Sequence, residues 1–187
     1  MERCVGVVPR SLVCREYLQT VVDLLDKSER SIELVSYAVS PVIGKKRGAA
    51  WSVVDALCRA AGRGVVVRVI FERSPREKSG ARAARLACRF LESGGVRARL
   101  GPRGLTVHSK FVLLDGVYSV VGSHNLTNRA LTRNHEVSVL NGDALIARGL
   151  MAGFERLWQR AGVDGNAERR EMVHRRSRGE GGESGGK

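Results

Sequence analysis

His108 and Lys110 stand two residues apart in the run TVHSKFVLL, residues 106–114. Read as a strand, this run puts both side chains on one face with Thr106, while Phe111 and Leu113 take the other. Val112 and Leu114 continue the face of Lys110. A cation on a mostly apolar strand needs an anion, because burying it unpaired costs on the order of several kcal/mol or drives its pKa down. Asp115-Gly116 then joins this run to Val117–Val121, and such a dipeptide between apolar runs predicts a hairpin. Ser123 and Asn125 follow, again two apart, and antiparallel pairing would bring them beside His108 and Lys110. The cluster suits phosphodiester chemistry. An imidazole attacks phosphorus, while Lys, Asn and Ser donate to the non-bridging oxygens where charge builds. A carboxylate behind the His would fix its tautomer, and Glu136, opening the next apolar run, is the best placed. The leaving alkoxide also needs a proton, which the attacking imidazole cannot supply, so a second imidazole is required.

The pattern His108-x-Lys110-x4-Asp115-x6-Gly122-Ser123-x-Asn125 resembles the HKD motif of the phospholipase D superfamily. The likeness extends to the strand at Ser31–Tyr37, the helix-strand unit at Ala49–Phe71, the helix before Gly94, and Glu136. It covers roughly Val5 to Arg160 and is nearest to the small single-motif nucleases. The resemblance implies a covalent phosphohistidine, no metal or other cofactor, and two motifs per active site. The motif occurs once here, so the second is expected from a second copy across a two-fold axis. Carried over by position, His108 is nucleophile in one copy and general acid in the other. Lys110 and Asn125 bind phosphate oxygens, Ser123 assists, and Glu136 orients His108. Asp115 matches the motif's aspartate, but on the hairpin reading it lies at the turn, where its role would be structural.

Other residues have plainer readings beside the functional one. His124 and His135 lie at no catalytic position of the family; a zinc site built from His108, His124 and His135 is the alternative that the resemblance opposes. Lys45, Lys46 and Arg47 form a basic loop after the strand carrying Tyr37, placed for nucleic acid or simply solvated. Arg129 and Arg133 after Asn125 are candidate backbone-phosphate contacts or surface charge.

The elements that would position these residues follow from periodicity. Cys4–Val8 reads as a strand and Leu12–Lys27 as an amphipathic helix. Strands are expected at Ser31–Ala38, Val65–Phe71 and Val96–Leu100, with helices at Ala49–Ala61 and Ala81–Ser93 stopped by glycines. After the hairpin come a strand at Glu136–Leu140 and a helix at Ala144–Arg160. No internal repeat is visible. The order predicts an α/β fold: a phospholipase D-type sandwich, with a mixed sheet and helices on both faces.

The chain has 187 residues and a formal charge of +13. Residues 163–187 hold six basic and five acidic side chains and end in a Gly, Glu and Ser stretch, which cannot bury enough surface to order itself. The expected division is therefore a catalytic domain at 1–162, carrying +12, and a disordered tail at 163–187. Arg supplies 26 of the 32 basic residues and grips phosphate with a bidentate fork. A cationic body suits a polyanion, nucleic acid or an anionic membrane face; an Arg-rich proteome is the plainer explanation. Cys4, Cys14, Cys58 and Cys88 form no CxxC pair, so free thiols are expected. No apolar run approaches the ~18 residues of a membrane span, and MERCVGVVPR lacks the apolar core of a signal peptide. A cytoplasmic homodimer is expected, without integral membrane association. The leading function is a metal-independent nuclease on DNA or RNA. The rivals are a phospholipase D or phosphatidyl transferase on anionic lipid, and a nucleic-acid-binding module without turnover.

Overall fold

The computed structural model describes residues 9–40, 48–73 and 78–162. The expected strand at Cys4–Val8, the basic loop Lys45-Lys46-Arg47 and the tail at 163–187 lie outside the described residues. Seven strands form one mixed sheet in the order β1-β7-β6-β5-β2-β3-β4. Strands β2 (Ser31–Ser36), β3 (Val66–Phe71) and β4 (Arg97–Leu100) run parallel, linked through α2 (Ala49–Gly62) and α3 (Lys78–Ser93). Strands β5 (Phe111–Leu114), β6 (Tyr118–Gly122), β7 (Val137–Asn141) and β1 (Arg10–Val13) continue the sheet antiparallel. The remaining helices are α1 (Arg15–Lys27), α4 (Asn128–Thr132) and α5 (Ala144–Arg160).

The two faces are unequally covered. Apolar residues of α1, α2, α3 and α4 share the main core with Leu34, Val67, Val69, Val112 and Leu114. On the other face α5 alone packs on the sheet, with Phe154 against Val35, Ile70 and Phe111. The division of Val112 and Leu114 from Phe111 is the period-2 alternation expected of this strand. β2 is buried on both faces, as a strand between layers must be. Helix α5 is held further by Arg68 of β3, which pairs with buried Glu33 at 2.9 Å and with Glu155 at 2.6 Å. The Arg68 guanidinium also lies 4.9 Å from the Phe154 ring centre.

Two boundaries differ from expectation. Leu12, assigned by periodicity to a helix, is a fully buried strand residue opposite Ser138. Its apolar neighbours fit a helical stripe, but Cys14 at φ 52° breaks the chain and α1 starts at Arg15. The run from Thr106 to Ser109 has no strand pairing, and the paired strand begins at Phe111, with Lys110 O accepting from Gly122 N just before it. One short helix, α4, went unforeseen; Thr127 caps it by accepting from Ala130 N at 3.2 Å.

Candidate active site

The turn at Asp115-Gly116 sets the site's geometry. Both residues have positive φ, 55° and 69°, conformations that Asp and Gly tolerate, and Val117 N donates to Leu114 O at 3.0 Å to close the turn. Register then follows: Phe111 faces Val121 and Leu114 faces Tyr118, and Gly122 N donates to Lys110 O at 3.2 Å. The motif's two halves thus finish at one end of the sheet. A Cβ on Gly122 would collide with Ser138 Oγ and Val137 O, so β6 approaches β7 there only as glycine.

At that end lies an open cavity of about 590 Å³, into which His108, Lys110, Ser123, Asn125 and Glu136 all project. Lys110 Nζ is 3.1 Å from His108 Nδ1 and 2.6 Å from the His108 carbonyl. Burial lowers the Lys110 pKa, and the negative charge of Glu136 opposes that shift. Asn125 Oδ1 accepts from Ala38 N at 3.2 Å, which leaves its amide NH2 as the end that serves a ligand. The loop carrying Asn125 is stitched to the chain after β2. Leu126 N donates to Ser36 Oγ at 3.1 Å, Ser40 N to Leu126 O at 2.9 Å, and Asn128 N to Ser40 Oγ at 2.8 Å.

Glu136 is placed otherwise than expected. Its carboxylate accepts from Ser123 Oγ and, at 3.0 Å, from Asn134 Nδ2, and within one chain it makes no hydrogen bond to His108. The imidazole is met instead by Lys110 and by the ring of Tyr37, whose centre is 4.6 Å away. The carboxylate oxygens are satisfied nearer to hand, by a loop residue two positions back and by the serine across the β6–β7 ladder.

Asp115 sits at the other end of β5, roughly 13 Å along the strand. Its carboxylate accepts from the backbone N–H of Arg30 (2.7 Å), Ser31 (3.0 Å) and Glu29 (3.2 Å) and so fixes the start of β2. Arg129 and Arg133 are exposed on and after α4 and line no part of the cavity. His135 is exposed, whereas His124 is buried against Tyr17. Among the described residues no three His, Cys, Asp or Glu side chains are grouped to hold a metal. Cys14 and Cys58 are free thiols, and Cys88 is buried in the main core.

Two residues at the site carry no spacing signal of their own. Tyr37 lies against both the motif's cation and its imidazole, with Lys110 Nζ 5.3 Å from its ring centre. Glu72, buried at the end of β3, accepts from Val107 N at 2.5 Å and so holds the backbone next to His108. Its neighbour Arg73 donates to Gly101 O at 2.8 Å and anchors the same connecting segment. The signal available in the sequence was only position: both follow strands whose ends face the cavity.

The cavity adjoins an uncovered apolar strip. Val121 forms part of its wall and pairs with Val139 of β7, while Val137 pairs with Val13 of β1. These four valines face the α5 side beyond the helix's reach and are 36–43% exposed. Leu145 and Ile146, at the start of α5, are 72% and 46% exposed.

Residues 21–158 match the family described as cardiolipin synthase, PLD-like domain. The chain belongs to the phospholipase D superfamily. Among curated relatives of this phospholipase D-like chain is mitochondrial cardiolipin hydrolase of Xenopus tropicalis, 32% identical over 136 residues, which are 73% of the chain and 58% of that protein. Cardiolipin synthase A of Klebsiella pneumoniae is 36% identical over 100 residues, 54% of the chain and 20% of the synthase. The chain therefore spans less than two thirds of the length of these relatives. Among solved structures, Nuc of Salmonella typhimurium, a phospholipase D family member, superposes with a TM-score of 0.68 at 21% identity, over 83% of the chain and 97% of Nuc. NucT of Helicobacter pylori gives 0.67 at 13% identity, over 84% of the chain and all of NucT. The superfamily's fold is thus present nearly whole. Among the described residues no helix is long and apolar enough to cross a membrane.

Proposed function

We propose that the chain is a phosphodiesterase acting on nucleic acid, DNA or RNA, through a covalent phosphohistidine at a site shared by two copies. The observation that carries this reading is the convergence of His108, Lys110 and Asn125 on one cavity. In the first step an imidazole nitrogen of His108 attacks phosphorus. The N–P bond forms, the P–O bond to the leaving group breaks, and His108 of the second copy gives its proton to the departing oxygen. In the second step the same imidazole takes a proton from water, whose oxygen attacks phosphorus and breaks the N–P bond. Lys110 Nζ and the Asn125 amide donate to the non-bridging oxygens, where the charge of the transition state gathers. Ser123 and Asn134 hold Glu136, whose charge favours the protonated form of Lys110 against the effect of burial. No metal has a role in either step.

Among the described residues His108 is the one imidazole that lines the cavity, so the chemistry needs a second copy, and the exposed valine strip gives that copy a place to dock. Val121 belongs to both the strip and the cavity wall, so a copy seated there brings its own cavity alongside. A two-fold arrangement would let the exposed Leu145 and Ile146 of one copy cover the strip of the other. Nucleic acid is favoured as the substrate by the charge of +13, supplied mostly by Arg, with Arg129, Arg133 and the Lys45-Lys46-Arg47 loop as candidate backbone contacts.

The second reading is hydrolysis or transfer at an anionic phospholipid. It is favoured by the likeness to mitochondrial cardiolipin hydrolase of Xenopus tropicalis, and the same His and Lys chemistry would serve it. One assay separates the two. Plasmid DNA, single-stranded oligonucleotide, RNA and cardiolipin vesicles are offered side by side, with and without EDTA, to the parent and to His108→Ala. Cleavage of nucleic acid that survives EDTA and vanishes in the variant supports the first reading. Turnover of the vesicles alone overturns it in favour of the second, and binding of nucleic acid without any turnover points to a non-catalytic module.

A further inference from the structure

The residue between Ser123 and Asn125 is a histidine, and the chemistry above does not use it. His124 is 2% exposed and lines no part of the cavity. Its ring lies flat on Tyr17 of α1, with centres 4.1 Å apart and planes 10° from parallel. Nδ1 is 2.8 Å from Ser138 Oγ on β7, and Nε2 is 3.2 Å from the carbonyl of Cys14. A carbonyl only accepts, so Nε2 carries the ring proton and Nδ1 accepts from the Ser138 hydroxyl. Burial favours this neutral form by lowering the pKa.

Cys14 is itself constrained. Its φ of 52° is uncommon for a side-chain-bearing residue, and both of its polar groups are engaged. Its carbonyl holds His124, and its N–H donates to Glu136 O at 3.1 Å. One backbone residue between β1 and α1 therefore ties together the two segments that carry Ser123, Asn125 and Glu136. A phenyl ring, somewhat larger and without nitrogens, would occupy the slot and stack on Tyr17, yet leave Cys14 O and Ser138 Oγ without the imidazole partner.

We infer that His124 is a positioning residue, a buried imidazole wedge that locks the Ser123–Asn125 segment onto the β1–α1 junction and so sets the reach of the Asn125 amide to the phosphate. The inference rests on the phosphodiesterase reading. It concerns geometry and not substrate class, so a small diester serves as the probe whether the natural substrate is nucleic acid or lipid. An error of about 1 Å in such a donor costs on the order of 10²-fold in rate, and it falls on kcat because the donor acts on developing charge.

The test measures hydrolysis of bis(4-nitrophenyl) phosphate by the parent, His124→Phe, His124→Gln and His108→Ala, together with thermal stability and amide hydrogen exchange. In His124→Phe, kcat should fall roughly 10- to 100-fold with KM within about threefold of the parent. Its melting temperature should fall by only a few degrees, because ring and stack are kept while two buried oxygens lose their partner. Exchange at Leu126 N–H should quicken, while exchange in β3 stays unchanged. His124→Gln should recover part of the loss, because its amide nitrogen reaches toward the Cys14 carbonyl. A phenylalanine variant with the parent's kcat, or one whose loss simply follows a collapsed melting temperature that glutamine does not relieve, overturns the inference. If the parent is inert, or His108→Ala hydrolyses as well as the parent, the phosphodiesterase reading fails instead. Hydrogen exchange still decides the wedge in that case, and an unchanged rate at Leu126 overturns it.

Discussion

Lys110 Nζ stands 3.1 Å from Nδ1 of His108 and 2.6 Å from the same residue's carbonyl oxygen. The cation is thus fastened to the backbone of the residue whose chemistry it would assist. Its position survives movement of the cavity's other wall, because both groups belong to one extended segment.

That arrangement has a pH consequence. Burial lowers the Lys110 pKa from its ordinary 10.5, and the charge of Glu136 partly restores it. On the proposed reading the protonated form binds phosphate, so activity should be lost as pH rises through a value below 10.5. In Glu136→Gln the restoring charge is gone, and the alkaline limb of the kcat profile should move further down. An upward move, or none, would contradict the electrostatic role given to Glu136. Lys110→Ala should lower kcat about 10²- to 10³-fold at neutral pH, the cost of removing one oxyanion donor.

Asp115 should matter for stability and not for rate. Asp115→Ala leaves the N–H groups of Glu29, Arg30 and Ser31 without their acceptor, at a cost of about 1–3 kcal/mol. Asp115→Asn keeps an acceptor oxygen and tolerates positive φ, so it should lose less. Urea denaturation measures both. Each folded variant should keep the parent's kcat on bis(4-nitrophenyl) phosphate.

Glu72 should matter for both. It is buried and holds Val107 N beside His108. Glu72→Ala opens a polar cavity and frees the segment before His108, so melting temperature and kcat should fall together. Glu72→Gln retains an acceptor and should lie between. Parent-like activity in the alanine variant would show that the segment holds its shape unaided.

Acid should destabilise the fold partly through His124. Its folded pKa is lowered below the ordinary 6.5 by burial, with the Cys14 carbonyl and the Glu136 charge opposing. The unfolded chain therefore takes up a proton first. The stability tied to the neutral ring is complete above about pH 6.5 and is lost as pH falls through the folded value. Melting temperatures of the parent should drop more between pH 7.5 and pH 5 than those of His124→Phe. Parallel drops would contradict a buried neutral imidazole.

Much of the site was legible because its parts are close in sequence. Two strands joined by Asp115-Gly116 leave little freedom in register, so the spacing of Lys110 and Gly122 already implied their meeting. The mixed sheet followed from the alternation of apolar runs and helical stripes. What escaped depends on contacts between distant segments. Tyr37 and Glu72 reach the site only because β2 and β3 end there. Glu136 turned to Ser123 and Asn134, which periodicity cannot weigh against His108. The extended run before Phe111 alternates like a strand, yet it is fastened by Glu72 in place of a neighbouring strand. Leu12 fits a helical stripe as well as a strand, and only the positive φ of Cys14 divides them.

Subunit mixing tests the central claim, that two copies supply one imidazole each to a common phosphorus. Parent and His108→Ala chains are unfolded together, refolded at varied ratios, and assayed at constant total protein. If both imidazoles are needed, only parent–parent dimers turn over, and an equal mixture should keep roughly a quarter of the activity of undiluted parent at the same total protein. Activity that falls in proportion to the parent fraction, to about half in the equal mixture, would mean that each chain works alone and would contradict the shared site.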